Sequence, residues 1–280
     1  MSTKHASNKR WMIWIIAAAV IIAALLCGIF LLGSPGEKQE SIRDLMKDGV
    51  LHEENKIAFL GMEVNPALIS AVAVSAFLLL FAAVIRIFVI PRFTYVPGKF
   101  QTLLEALVDF FDNLAHTNSP HHSGFLGGYV FSAGVYIFVS TLFELFGFQA
   151  VTTQGLSIAL PAPLADINAA IAMGCLSYAV ILGAGLIFNG GRGVLGVLKD
   201  FSLPISMSFR LFGALLSGLL VTELVYYYIS LSFVLPVIVG VLFTLLHALV
   251  QTYVLTMLTS TFYGEAAEPR KKKVKKTPAK

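Results

Sequence analysis

Charge is what this chain has least of. Asp, Glu, Lys and Arg make up only 13% of its 280 residues, about half the share of an ordinary soluble domain. So few charged groups cannot keep a surface in water when 57% of the residues are hydrophobic and the mean hydropathy is +0.80. A soluble enzyme built on one packed core is excluded. Disorder is excluded by the same imbalance, because the apolar residues outnumber the charges that would keep them solvated. Only two cysteines occur, Cys27 and Cys175, each inside an apolar run, so there is no disulfide framework. Short alternating segments of the kind that build a membrane β-barrel are absent. So are G-x-S-x-G, H-E-x-x-H and any cofactor-binding motif, which removes the basis for an intramembrane enzyme and for a cofactor or metal. A helical protein that crosses a membrane several times remains.

Long apolar runs are what the chain does have. A hydrocarbon core about 30 Å thick needs roughly 20 apolar residues in a helix. Six stretches qualify, at 11–32, 66–90, 124–147, 163–188, 204–229 and 231–263. The last two are separated by almost nothing, so they read as a long antiparallel helical hairpin. The first run follows Lys4, Lys9 and Arg10 as a signal peptide would. It is longer than a signal h-region and no small-residue cleavage site follows, so a retained anchor is the favoured reading. Lys and Arg set the orientation. With the N-terminus in the cytoplasm, fourteen of these residues fall inside and four outside, and the outer segment 33–65 is rich in Asp and Glu. Both termini are therefore expected in the cytoplasm.

Between the second and third spans, residues 96–116 carry Phe100, Leu103, Leu107, Phe110 and Phe111 at helical spacing, with Glu105, Asp109 and Asp112 opposite. This predicts an amphipathic helix on the membrane surface or against a protein partner. Its acidic polar face favours protein over anionic lipid. The expected fold is thus all-α: six transmembrane helices and one amphipathic surface helix. Four regions follow: an N-terminal anchor at 1–32, an acidic extracytoplasmic segment at 33–65, a membrane domain at 66–264 and a basic tail at 265–280. The tail's lysines read as a topology-fixing run rather than a nucleic-acid site.

Ionisable groups deep in a span are expensive and mark function by default. Arg86 lies near a span end and can snorkel to water. Arg210 cannot, since it stands about two turns into its span and its guanidinium does not deprotonate. Gly213, Ala214, Ser217 and Gly218 follow it on the same helical face, and such small residues let another backbone approach closely. In the last span Thr244, His247 and Gln251 share a face, and an antiparallel hairpin is expected to bring Gln251 near Arg210. Neutral and protonated His are both accessible near physiological pH. Glu223 lies about 220° around the helix from Arg210, toward the outer side. Glu144 and Asp166 sit in adjacent spans on that same side. Asp166 and Asn168 also fit a plain helix start.

Four ordered segments resemble subunit a of the rotary F-type ATP synthases. They are Ser206-Met-Ser-Phe-Arg210-Leu-Phe-Gly213, Pro163-Leu-Ala-Asp-Ile-Asn168, the stretch from Gln251 to Ala266, and Val96-Pro-Gly-Lys-Phe-Gln-Thr-Leu-Leu-Glu105. The resemblance spans about 66–267. It implies a non-catalytic stator against which a ring of c-subunits turns, each carrying a mid-membrane carboxylate. It also implies a peripheral stalk of b-subunits, a soluble ATPase head and a place in the bacterial plasma membrane. By the same resemblance Arg210 separates two ion half-channels, with Ser206 beside it and Gln251, His247, Thr244, Glu223, Glu144, Asp166 and Asn168 as channel candidates. The chain departs from the family pattern at Ala214, Leu219 and Thr244, where Asn, an acid and His or Glu are common. Glu144, with His247 or Glu223, is expected to take over the outer titratable role. Proton and sodium coupling both stay open. A secondary transporter binding an anion at Arg210 is the competing reading, but no internal duplication accompanies it.

Overall fold

A computed structural model describes residues 57–59, 62–151, 153, 157–227 and 235–268. The expected first span, most of the acidic segment, the connection of the C-terminal hairpin and nearly all of the basic tail lie outside the described residues. The chain divides into two compact units. The larger comprises His52–Ser217 and Phe243–Lys280. The smaller comprises Met1–Leu51 and Gly218–Leu242, where the described residues continue two helices.

Among the described residues six α-helices carry the architecture. Asn65 starts α1 (Pro66–Val84), its Oδ1 accepting from the Ala67 amide, with proline at the first helical position, where its missing N–H is no loss. The rod continues through a π-helical turn, Ile85–Val89, and a 3-10 turn, Ile90–Arg92; Pro91 cannot extend it further. After a short loop come α2 (Lys99–Asn118) and α3 (Ser123–Leu142), then a 3-10 turn, Phe143–Phe146, closed by Gly147 at φ 60°. Next are α4 (Ile167–Leu198), α5 (Ser202–Tyr227) and α6 (Leu235–Ala267). Among the described residues four stretches are long and apolar enough to cross a membrane: Pro66–Arg92, Ser123–Phe146, Ile167–Leu198 and Gly240–Ala267.

Three details go beyond the sequence reading. The fold is mostly helical, with two short hairpins added in which β1 (Ile57–Phe59) pairs with β2 (Met62–Val64) and β3 (Gln149–Val151) with β4 (Ser157–Ala159), both antiparallel. Strands of three residues are too short for period-two alternation to reveal them. The amphipathic helix is only partly a surface helix. Phe100, Leu103 and Leu107 are exposed, but Phe111 and Ala115 are buried against the next span. The Phe111 ring meets Phe131 edge-on at 5.8 Å and lies where a side chain on Gly134 would be. Asp112 faces Gly127, so α2 and α3 form an antiparallel hairpin.

The third detail concerns α4, which is not one rod but turns just past residue 188, where the expected span ends. Gly190 has φ 59° and ψ −152°, a conformation open essentially to glycine alone. There the chain reverses. The Tyr178 hydroxyl donates to the Val197 carbonyl at 3.2 Å, whereas nineteen residues of straight helix would set them about 28 Å apart. The short return segment packs on the helix it left, with the Gly193 and Gly185 backbones in contact.

Packing inside a bilayer gains little from expelling water, so close approach and polar pairing must hold helices together. Gly174 of α4 receives Ser208 and the Pro204 carbonyl of α5, and Gly264 of α6 receives the Asn118 carbonyl at the end of α2. Tyr129 and Ser177 join α3 to α4 through a 2.8 Å hydroxyl pair. Leu126, Val130 and Ile137 of α3, Ile181 of α4 and Met207 and Leu211 of α5 fill the space between.

Candidate functional site

Two faces of α5 differ sharply. Met207, Ser208, Leu211 and Leu215 are buried and turn toward α4 and the core. Ser206, Arg210, Gly213 and Ser217, spaced by four, three and four, lie exposed on the other face. A side chain built on Gly213 would meet nothing within 4 Å. Ala214 is half-buried at the margin. Because Ser208 rests on Gly174, eighth residue of α4, Arg210 stands at the depth of a span rather than at its end. No hydrogen bond or ion pair holds it among the described residues, where the one ion pair is His116–Asp112.

A guanidinium uncovered at that depth costs at least about 2.5–3.5 kcal/mol in hydrocarbon. The helix presents it on a smooth, small-residue flank that the described residues leave bare. Such a surface suits a second protein carrying an anion.

The other candidates do not converge on it. Gln251 of α6 is buried, 7% exposed, while its neighbour Thr252 points its hydroxyl at the Gly134 carbonyl of α3, 3.5 Å away. No hydrogen bond joins Gln251 to Arg210 among the described residues. Thr244 and His247 are half-buried one to two turns earlier, with the Phe243 ring 5.7 Å from the imidazole. Glu144 is half-buried in the 3-10 turn that ends α3. Glu223 is on α5, and its side chain lies outside the described residues, while Gly218 falls in the smaller unit.

Asp166 is a helix cap. Its Oδ1 accepts from the amides of Asn168 (2.7 Å) and Ala169 (3.3 Å), while Oδ2 accepts from the Asn65 side-chain amide. Asn65 itself caps α1, so the starts of two spans are tied by one pair of side chains. The Asn168 side chain is exposed beside it. Asn65 escaped the sequence reading, although an Asn before Pro at the head of an apolar run is a start signal.

Family comparison decides where the chain belongs. The family model described as ATP synthase A chain matches residues 68–264, which include every described candidate. The chain belongs to the ATP synthase A chain family. Similar proteins include ATP synthase subunit a of Cereibacter sphaeroides strain ATCC 17025, 26% identical over 187 residues, covering 62% of this chain and 72% of the relative. That of Histophilus somni strain 129Pt is 25% identical over 209 residues, covering 61% and 77%. This family member is a membrane component of ATP synthase and carries no catalytic centre of its own. The transporter reading has no support left.

One more feature went unread in the sequence. Asn189, at the reversal of α4, donates to the carbonyls of Ala266 (2.7 Å) and Glu268 (2.9 Å) and so closes the end of α6. With Gly193, Asp200 and Glu265 it lines a polar cavity of about 210 Å³. The Asn-Gly dipeptide at 189–190 is a turn signal that an otherwise helical stretch masked.

Proposed function

We propose that this chain is the membrane stator of the rotary Fo sector, and that it couples ion flow across a bacterial plasma membrane to ATP synthesis. Arg210 faces the carboxylates of the c-subunit ring, attracts each one when it loses its ion and blocks direct leakage between two half-channels. Gly213, Ala214, Ser217 and Gly218 give the passing ring a smooth flank. Ser206 stands one turn before the guanidinium on the same helical face, and Gln251 serves the ion path from its packed position on α6. His247, Thr244, Glu144, Glu223, Asp166 and Asn168 serve the outer access path. Six spans, a C-terminal hairpin, both termini in the cytoplasm and a b-subunit stalk that holds the chain against the ATPase head complete the reading. The ion is a proton or a sodium ion. Its drive comes from the membrane field, about 2.3 kcal/mol per charge per 100 mV, and none of it from bond chemistry on this subunit.

The observation that carries the reading is Arg210, exposed on a small-residue face of α5 and without a partner among the described residues. Its test is Arg210→Ala in the assembled complex, reconstituted in vesicles with an imposed potential. ATP synthesis is expected to vanish while the complex still assembles. Undiminished synthesis would overturn the proposal.

A further inference from the structure

At the far end of the first described span the chain builds an open cleft of about 460 Å³, within the size range of small-molecule sites. It lies where the rod Pro66–Arg92 passes into α2, at the edge of the apolar span. Arg92 and Lys99 both line it, and Phe88, Phe93 and Phe100 supply its apolar wall. Neither cation makes an ion pair among the described residues. The nearest carboxylate in sequence, Glu105, is not part of the lining; it accepts a 2.8 Å hydrogen bond from Gln101.

The cleft is held in shape. The Gln101 side chain reaches back across the loop, its Oε1 accepting from the Thr94 amide (3.2 Å) and its Nε2 donating to the Thr94 carbonyl (3.1 Å). The Thr94 hydroxyl closes the turn on the Val96 carbonyl at 2.8 Å. On the other side, the π-helical turn at Ile85–Val89 and the 3-10 turn at Ile90–Arg92 replace the regular helix. They rotate Arg92 away from the face it would occupy on an unbroken rod.

We propose that this cleft binds one anionic glycerophospholipid. Arg92 and Lys99 take the phosphate and headgroup, and the three phenyl rings take the start of the acyl chains. Charge complementarity and position choose that occupant. Two uncompensated cations at the rim of a bilayer attract an anion, and the aromatic wall continues the apolar surface of the span, where lipid tails already lie. Basic pockets beside membrane helices bind acidic headgroups by this arrangement. A free phosphate would use the cations and leave the rings uncovered.

The test is native mass spectrometry of the assembled, detergent-solubilised complex. Dioleoyl phosphatidylglycerol and dioleoyl phosphatidylcholine are added at equal concentration. Wild type is expected to retain one tightly held phosphatidylglycerol in preference to phosphatidylcholine. In the double variant Arg92→Gln/Lys99→Gln that preference should fall roughly thirty-fold, from about fivefold per basic group near an anionic lipid. Gln101→Leu keeps both charges, frees the loop and is expected to lower the preference severalfold. It decides the matter should the double variant not assemble. Equal retention of the two lipids by wild type, or an unchanged preference in the decisive variant, overturns the proposal. So does displacement of the lipid by millimolar inorganic phosphate, which would make the cleft a free-anion site. The inference rests on membrane location alone and the readout is lipid mass, so an Arg210→Ala complex inactive in synthesis still shows the bound lipid.

Discussion

A side chain on Gly213 and one on Gly264 should have opposite consequences. Nothing lies within 4 Å of the place a Cβ would take on Gly213, and replacing a helical glycine by alanine gains about 0.5–1 kcal/mol. Gly213→Leu is therefore expected to leave the melting temperature of the isolated chain unchanged or slightly raised. In the complex it should cut ATP synthesis at least tenfold, because the bulk stands on the flank proposed to face the ring. Gly264 instead lies against the Asn118 carbonyl, backbone that cannot move aside cheaply. Gly264→Ala should lower the melting temperature and the yield of assembled complex together. At Glu144, half-buried in its turn with no side-chain hydrogen bond among the described residues, Glu144→Gln keeps the shape and removes the charge. ATP-driven ion pumping is expected to fall while the melting temperature holds; unchanged pumping would remove Glu144 from the access path.

Elements behave as units where one residue sets their ends. Asp166 starts α4 and ties it to α1 through Asn65. Asp166→Ala should cost about 1 kcal/mol or more, a lost cap plus a lost inter-helix bond, read as a shift in thermal unfolding in detergent. Asp166→Asn keeps an oxygen for the cap and should retain most of the stability. Whatever pumping it then loses belongs to the carboxylate's charge. At Gly190 the reversal of α4 rests on a backbone conformation that L side chains avoid. Gly190→Ala is expected to cost about 1–3 kcal/mol and to release Asn189 from the end of α6. Limited proteolysis near the chain's C-terminal helix should then accelerate.

For the whole molecule, the apolar balance that excluded a soluble fold also predicts company. Arg210 and its bare flank are tolerable in a bilayer only when covered by something carrying negative charge. Full-length chain purified from membranes should bring with it a small, carboxylate-bearing proteolipid and a soluble ATPase head. Arg210→Ala should co-purify with them as well, since the surface, and not the charge alone, makes the contact.

Much of this was legible before any coordinates. Membrane character follows from composition, and the described apolar runs became helices because a run of twenty apolar residues has few other ways to satisfy its backbone in lipid. The 3.6-residue spacing of Arg210, Gly213 and Ser217 puts them on one face wherever the helix goes. Helical periodicity is local, and local patterns survive folding. What only the tertiary structure decided is long-range: that α2 buries Phe111 on α3, that Asn65 reaches Asp166, that Gln251 is packed inside, and that the chain turns back at Gly190. Each joins residues far apart in the chain or depends on one backbone angle, and no periodicity encodes such a meeting. It is settled by which small residue lets which neighbour come close.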